Sequence, residues 1–429
     1  MSSSHRLLEA RKRLGGRIST VSIGGVKAEL GANWIHGILG NPLYELASLH
    51  GLVEVGSSPK PHNVAATTED GRRVPFSVLQ EIYEAYYWFF KRCEEYFLCK
   101  YTVILIETFS LNCRYFIYVY QPPDGVKSVG EHINLEVSIY LQRFPPQQRH
   151  LRRLIFDYLL KRECCITGCD SMDEIDLIGI GSYTELPGGN IQLPHGYVSL
   201  LRPLIKALPP NCIHKEKPVK TIHWKYRVEQ EQDSSDNDSV SSVINTRNPQ
   251  GLASEIQSRD TSVCCTPMTA KNHPNVMVEC ESGDKYYADH IICTLPLGVL
   301  KEKHKIMFEP ALPESKVRVL EKLNFGVVNK IFLHYDKPFL APEISEVILL
   351  WDSKIESGSA EDLPMADKWY RKIYSFVKLS ETLLLGWISG EEAKFLETLK
   401  MEIVAETCTN ILRQFLNDPL VPKPKHCVL

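Results

Sequence analysis

The chain has 429 residues, 44% of them hydrophobic and 24% charged, which is ordinary globular composition with room for two or three domains of ~100–200 residues. A net charge of −3 gives no basis for nucleic-acid or anionic-membrane binding. The 13 cysteines are odd in number, form no Cys-x-x-Cys pair and include the adjacent pairs Cys164-Cys165 and Cys264-Cys265, so reduced thiols and no metal site are expected.

Met1 to Arg13 is polar and basic and has no apolar core, so it is not a secretory leader. Residues 5–10 read as the end of a strand, and Gly15-Gly16 as a turn. Ile18 to Ile23 alternates like a strand and turns at Gly24-Gly25. Asn41-Pro42 starts a helix over Leu43 to His50, with Leu43, Leu46, Ala47 and Leu49 as its apolar face and Gly51 as its stop. Ser77 to Phe97 has helical spacing. Tyr101 to Tyr120 approaches the length of a membrane span, but Glu107, Asn112 and Arg114 argue against one, because mid-membrane charges cost several kcal/mol. A buried hairpin is a second reading. The reading adopted is a foreign insert over 101–125, bounded by Pro122-Pro123 and Asp124-Gly125.

Helical pattern resumes at Val129, breaks at Pro145-Pro146 and returns over Gln147 to Leu160. Leu200 to Leu208 reads as a helix and Pro218 to Tyr226 as a strand. The Ser-, Asp-, Asn- and Thr-rich stretch over 228–275 is expected to be a disordered loop. Val276 to Cys280 and Lys285 to Thr294 flank Ser282-Gly283-Asp284 as a hairpin. Lys330 to Tyr335 and Thr382 to Ile388 read as strands, and Glu392 to Phe415 as one long helix. The chain ends Lys425-His426-Cys427-Val428-Leu429, which is neither a prenylation box nor a peroxisomal tripeptide.

Several residues suit a dinucleotide ligand. Glu9 ends a strand, where a carboxylate can hold a ribose; the glycine-rich turn that normally comes ~20 residues earlier is not found upstream of it. Gly16 permits close backbone approach, and Arg17 beside it offers a planar donor fork for a pyrophosphate, although a plain hairpin turn is the simpler alternative. Gly31-Ala32-Asn33-Trp34-Ile35-His36-Gly37 suits a backbone lying along a flat ring system. The alternative is a buried tryptophan and a satisfied core histidine. Thr294-Leu295-Pro296 follows an expected strand, Ile291-Ile292-Cys293, and the carboxyl end of a strand is where open α/β sheets place ligands. Lys330 begins an apolar strand and either faces a polar cavity or is an exposed edge lysine, the commoner case. No Gly-x-Ser-x-Gly, His-Glu-x-x-His or P-loop occurs.

Taken together, LLEA…LGGR, ELGANWIHG with GNPLYELA, ECC…SMDEIDL, SYTELPGG, KPVKTIHW, CTLPLGVL, FGVVNKIFL, WYRKI and GWISGEEA resemble the flavin-dependent amine oxidases, and within them the animal polyamine oxidases. The resemblance implies an α/β fold: an incomplete FAD-binding Rossmann-like domain and an α+β substrate domain with a mixed sheet and a helical subdomain. It allots 1–57 and 208–305 to the first domain, and 58–207 and 306–429 to the second. It further implies that the first βαβ unit and a closing C-terminal flavin segment are missing.

Carried over, Glu9 holds the ribose and Gly16 and Arg17 the pyrophosphate. Gly31, Ala32, Asn33 and Trp34 line the flavin, Val219 meets the adenine, and Thr294 and Pro296 lie along the cofactor. His36, Ile166 and Asn329 face substrate, and Lys330 is the catalytic lysine that holds a water. The apolar Cys164-Cys165-Ile166-Thr167-Gly168 is similar to the class that takes N(1)-acetylated polyamines, because a neutral acetamide needs no carboxylate partner. The implied reaction oxidises the carbon next to a secondary amine to an imine that hydrolyses, and O2 becomes H2O2. Polyamine and O2 are the partners; nucleic acid and membrane are not, and a monomer in the peroxisome or cytoplasm is expected. The rival readings are a spermine oxidase, a non-catalytic form that does not hold FAD, and a different flavoprotein such as a monoamine oxidase or a histone demethylase.

Overall fold

The computed structural model describes residues 5–54, 63–109, 121–225, 275–352, 354–355, 358–359 and 362–429. They divide into two compact units, one of 1–12 with 213–323 and the other of 13–212 with 324–429. In chain order the strands are β1 (Leu7–Leu8), β2 (Thr20–Ile23), β3 (Val26–Glu29), β4 (Ile35–His36), β5 (Asn63–Thr68), β6 (Asn190–Ile191), β7 (Ile213–His214), β8 (Val219–His223) and β9 (Val276–Cys280). They continue with β10 (Lys285–Ala288), β11 (Phe308–Glu309), β12 (Val328–His334), β13 (Ile344–Leu350), β14 (Lys354–Ile355), β15 (Gly358–Ser359), β16 (Ser375–Ser380), β17 (Leu383–Ser389) and β18 (His426–Val428). The helices are α1 (Pro42–Leu49), α2 (Phe76–Phe109), α3 (Val129–Leu141), α4 (Pro146–Thr167), α5 (Leu201–Lys206), α6 (Leu297–Met307), α7 (Glu314–Lys322), α8 (Met365–Lys368), α9 (Gly390–Leu396) and α10 (Met401–Leu416).

The larger unit is built on a six-stranded sheet, β18-β12-β17-β16-β13-β5, antiparallel except where β5 joins β13 in parallel. Side chains alternate along its strands. On β12, Ile331 and Leu333 face one way, into a core shared with Leu396, Val404, Cys408, Ile411 and Phe415 of α9 and α10. Phe332 faces the other way, with Leu383 and Leu385 of β17, and is covered by Ile23 and Ala28 of the β2–β3 hairpin. That hairpin turns on Gly24 and Gly25, both at positive φ (57° and 83°), as a tight two-residue connection requires. A separate helical layer packs Ile82, Phe89, Ile133, Val137, Ile155 and Phe156 of α2, α3 and α4. The smaller unit has a four-stranded sheet, β10-β9-β8-β11, and the parallel pair β1-β7; Leu8, Ile222, Val278 and Met307 share its core.

Local signals place many of these boundaries. Asn41 caps α1 by accepting the Leu43 N–H at 3.0 Å, and Gly51 stops it at φ 64°. Ser128 and Glu131 form a reciprocal capping box at the start of α3. Other expectations need correction. Of the expected apolar face of α1, Ala47 is buried and Leu46 partly so, but Leu43 and Leu49 are exposed and Tyr44 packs in their place. The α2 helix continues past Phe97 to Phe109, since no glycine or proline intervenes to stop it. It thus runs into the expected insert; 110–120, like most of 228–275, lie outside the described residues. For the same reason α4 extends beyond Leu160 to Thr167, where Gly168 at φ 74° ends it.

The long helix expected over Glu392 to Phe415 is two helices. Thr398 N–H and Oγ1 both donate to Phe395 O (2.9 and 2.7 Å), closing α9 with a local bond that competes with helix propagation. The strand expected to run to Thr294 stops at Ala288, and Ile291-Ile292-Cys293 is not a strand: among the described strands none pairs with it, and Ile292 is 89% exposed. No described helix is long and apolar enough to cross a membrane.

Candidate functional site

In the larger unit the sheet register creates the site. Lys330 lies two residues before Phe332 on β12 and therefore shares its face, the one the β2–β3 hairpin covers. The chain leaving β3 crosses that face, and Lys330 Nζ donates to Glu29 O at 2.7 Å and Gly31 O at 2.6 Å. Across the ladder Lys330 opposes Trp387, whose ring centroid lies 4.8 Å from Nζ. Lys330 is 7% exposed, so it is not an exposed edge lysine, although β18 pairs only with Phe332 to His334 of the same strand. Burial pushes its amine down to about 8, and attraction to the Glu29 carboxylate only partly opposes this. Glu29 itself accepts from Thr20 Oγ1 at 2.9 Å and from Tyr197 N–H at 2.8 Å, which locks the hairpin to the 196–198 segment.

The glycine motifs lie against the same hairpin. Ala32 N–H donates to Arg17 O (3.0 Å) and Leu30 N–H to Ser19 O (2.9 Å), which laces the two segments together. A Cβ on Gly31 would fall 1.9 Å from Arg17 O, so only glycine allows this approach. Arg13 clamps the Gly15-Gly16 turn by donating to Gly16 O (2.9 Å) and Ile18 O (3.1 Å). Gly16 has φ +53°, and a Cβ there would meet nothing within 4 Å, so the turn presents open backbone, with Arg17 exposed beside it.

Ala32 is exposed and Asn33 half-buried. Trp34, 40% exposed, is not a core residue, nor is His36, which is exposed on β4 opposite Asn190. Asn41 Nδ2 donates to His36 O (3.0 Å) and Gly37 O (2.9 Å) and so fixes that strand from behind. Ile166 is 63% exposed on the last turn of α4, whose neighbours Cys164 and Cys165 are buried. Asn329 commits its amide nitrogen to α9 and its exit, donating to Ala393 O and Glu397 Oε1, each at 2.9 Å.

In the smaller unit Glu9 follows β1. Its backbone joins the β7 region, and its Oε1 accepts the Arg11 N–H at 2.9 Å. Val219 starts β8; β11 pairs only with Ile222 and His223, so Val219 has a ladder partner on one side only, Cys280 of β9. Thr294 and Pro296 are exposed just before α6. Sequence reasoning missed Arg13, Glu29 and Trp387, and of Asn41 it found the cap but not the hold on His36 O and Gly37 O. Glu29 and Trp387 stood inside quoted motifs, but their roles depend on the hairpin lying over β12 and β17, which no local pattern specifies.

Within the larger unit the residues present suit a flavin and its phosphates: open backbone at Gly16, an exposed guanidinium at Arg17 and an accessible indole at Trp34. Within the smaller unit Glu9 offers a half-buried carboxylate. The fold is a mixed α/β architecture with a multi-stranded sheet and helical subdomains. Residues 4–271 and 265–429 match the flavin containing amine oxidoreductase family, and the chain belongs to it. It is similar to the human peroxisomal N(1)-acetyl-spermine/spermidine oxidase, at 31% identity over 98% of this chain and 74% of that protein. It is also similar to probable polyamine oxidase 5 of Arabidopsis thaliana, at 24% identity over 93% of this chain and 69% of that protein. A solved putrescine oxidase variant superposes with a TM-score of 0.58 at 13% identity, covering 98% of this chain and 78% of that one, which supports the fold.

Proposed function

We propose that the chain is an FAD-dependent oxidase of N(1)-acetylated spermine and spermidine, with the domain allotment set out from the sequence. The observation that carries the reading is Lys330, an amine held in the sheet interior, pushed down to about 8 and anchored on the two carbonyls of the Glu29–Gly31 loop. An amine of that kind can hold a water and pass a proton at neutral pH without a large penalty. When bound, FAD supplies the two-electron acceptor for the carbon next to the secondary amine and returns the electrons to O2. The chain's own residues bind and orient. Arg17 and Gly16 hold pyrophosphate, Glu9 the ribose and Val219 the adenine. Gly31, Ala32, Asn33, Trp34, Thr294 and Pro296 line the cofactor, and His36 and Ile166 face the amine. Asn329 positions Lys330 by tying β12 to α9.

The acetylated substrate class is supported by the apolar, exposed Ile166 and by the 31%-identical human relative, which also suggests a peroxisomal location, with cytoplasm as the alternative; a monomer is proposed. The test is flavin absorbance of the purified chain and peroxide release with N(1)-acetylspermine and with spermine. Faster turnover of free spermine moves the chain to the spermine class, and strong turnover of an aromatic monoamine overturns the polyamine reading. A second reading, a folded form that does not hold FAD, is favoured by the unpaired Ile291–Cys293 stretch with Ile292 in solvent. A colourless protein that unfolds cooperatively supports it, and a yellow one sinks it.

A further inference from the structure

The end of α4 carries a feature that the amine-oxidising reading does not use. Cys169 N–H donates to Cys164 O at 3.1 Å and Gly168 N–H donates to the same carbonyl at 2.8 Å, with Gly168 left-handed at φ 74°. A bond from residue i+5 back to residue i is the closure that brings the side chains at its two ends into contact, ordinarily an apolar pair. Here both ends are cysteines. Both are free thiols, buried at 5% and 3% exposure, one at each end of that backbone closure. The pair is not sealed in the core. Thr167, an exposed residue, places Oγ1 3.0 Å from Cys169 Sγ, and Cys169 Sγ reaches Met172 Sδ at 3.7 Å. Contact with Cys164 holds the Cys169 thiol below its ordinary range, and contact with Cys169 raises Cys164. The Lys372 ammonium, bonded to Asp170 O at 2.7 Å, adds positive charge near Cys164.

We propose that Cys164 and Cys169 are a peroxide-oxidisable dithiol that closes into a disulfide across the turn behind Ile166. The Cys169 thiolate attacks one oxygen of hydrogen peroxide. The O–O bond breaks, hydroxide leaves and takes a proton, and Cys169 becomes a sulfenic acid. Cys164 then loses its proton, its sulfur attacks the sulfenic sulfur, the S–O bond breaks and water leaves. Two thiols are oxidised and one peroxide is reduced to two waters. The bond would staple the left-handed turn and stiffen the last turn of α4, which presents Ile166. Peroxide added from outside is the oxidant, so the step does not depend on this chain oxidising amines.

The test uses the reduced full-length protein, treated with hydrogen peroxide, denatured, blocked with a maleimide and digested with trypsin. Glu163 to Lys206 forms one tryptic peptide, because Arg202 precedes Pro203, and its cysteines are 164, 165 and 169. Peroxide is expected to lower its labels from three to one, left on Cys165, and a reductant to restore three. Cys165→Ser should go to no label after peroxide. Cys169→Ser should keep both of its labels, and Cys164→Ser should lose only the Cys169 label, to a sulfenic acid that a cyclic 1,3-diketone traps. Where a variant does not fold, fragment spectra of the wild-type peptide locate the linkage. Three labels surviving peroxide, a Cys165 linkage, or a sulfinic Cys169 beside a labelled Cys164 would each overturn the pair.

Discussion

Lys330 and Ile292 stand in opposite environments. At Lys330, β12 pairs with β17 and lies under the chain leaving the β2–β3 hairpin, so the buried lysine had to find partners inside, and it found two carbonyls and an indole. The 289–296 stretch has no ladder partner among the described strands, and its isoleucines face water. The candidate ligand residues divide in the same way. Those around Lys330 are held by backbone lacing whatever binds there. Glu9, Thr294 and Pro296 are poorly enclosed, so little except a ligand would reward their chemistry. Mutations should therefore cost stability in the first group and ligand affinity in the second.

The largest effect is expected at Gly31→Ala. The added Cβ would lie 1.9 Å from Arg17 O, a backbone atom that cannot swing away, and the lacing of 17–19 to 30–32 must open. Overpacking of this kind costs about 3 kcal/mol. A urea titration should show the midpoint fall, and an unchanged midpoint breaks the claim that this half is built independently of ligand.

Lys330→Met sharpens the comparison through pH. The folded pKa of Lys330 lies at about 8, below its unfolded value near 10.5, so the folded state disfavours the proton. Lys330 therefore imposes its full penalty below about 8, and that penalty fades as pH rises towards the unfolded value. Between pH ~7.5 and ~9.5 the wild type should gain about 2 kcal/mol relative to the methionine variant. Denaturant titrations of both proteins at the two pH values measure it, and parallel behaviour would remove the buried-amine argument. Peroxide production should fall at least ~10-fold in the variant at either pH, a loss of about 1.4 kcal/mol or more in the transition state.

How legible was this site? Residue identity was enough for turns and caps: Gly24-Gly25, Asn41 and Gly51 act where local rules put them, because each depends on only a few neighbouring dihedrals. The motif Val328-Asn329-Lys330 showed a lysine opening a strand, but whether that strand lay at an edge or in the middle is decided by β18 and β17, which come from distant sequence. Trp387 and Glu29 were invisible as partners of Lys330 for the same reason. Ile291-Ile292-Cys293 read as a strand because propensity sees only the chain itself, whereas a strand exists through its neighbour.

A smaller effect is expected at Asn41, which does two jobs with one amide. Its oxygen caps α1 and its nitrogen holds His36 O and Gly37 O. Asn41→Ala should cost about 1 kcal/mol through the lost cap. Asn41→Asp keeps the acceptor but cannot donate, so it should recover most of the stability without recovering the hold on β4. If His36 faces the amine, both variants should raise KM with kcat little changed. Recovery of KM by aspartate would mean that the cap alone positions His36.

The smallest change in stability, within ~0.5 kcal/mol, is expected for Glu9→Gln. Its carboxylate makes one local bond, to the Arg11 N–H, which the glutamine oxygen can still accept. What the amide cannot supply is a charged acceptor pair for vicinal hydroxyls, so FAD affinity should drop ~10-fold, about 1.4 kcal/mol. Titrating apo-protein with FAD by fluorescence, alongside thermal unfolding without FAD, separates the two quantities. A stability loss with affinity unchanged would place Glu9 among the laced residues around Lys330 and erase the division between the two groups.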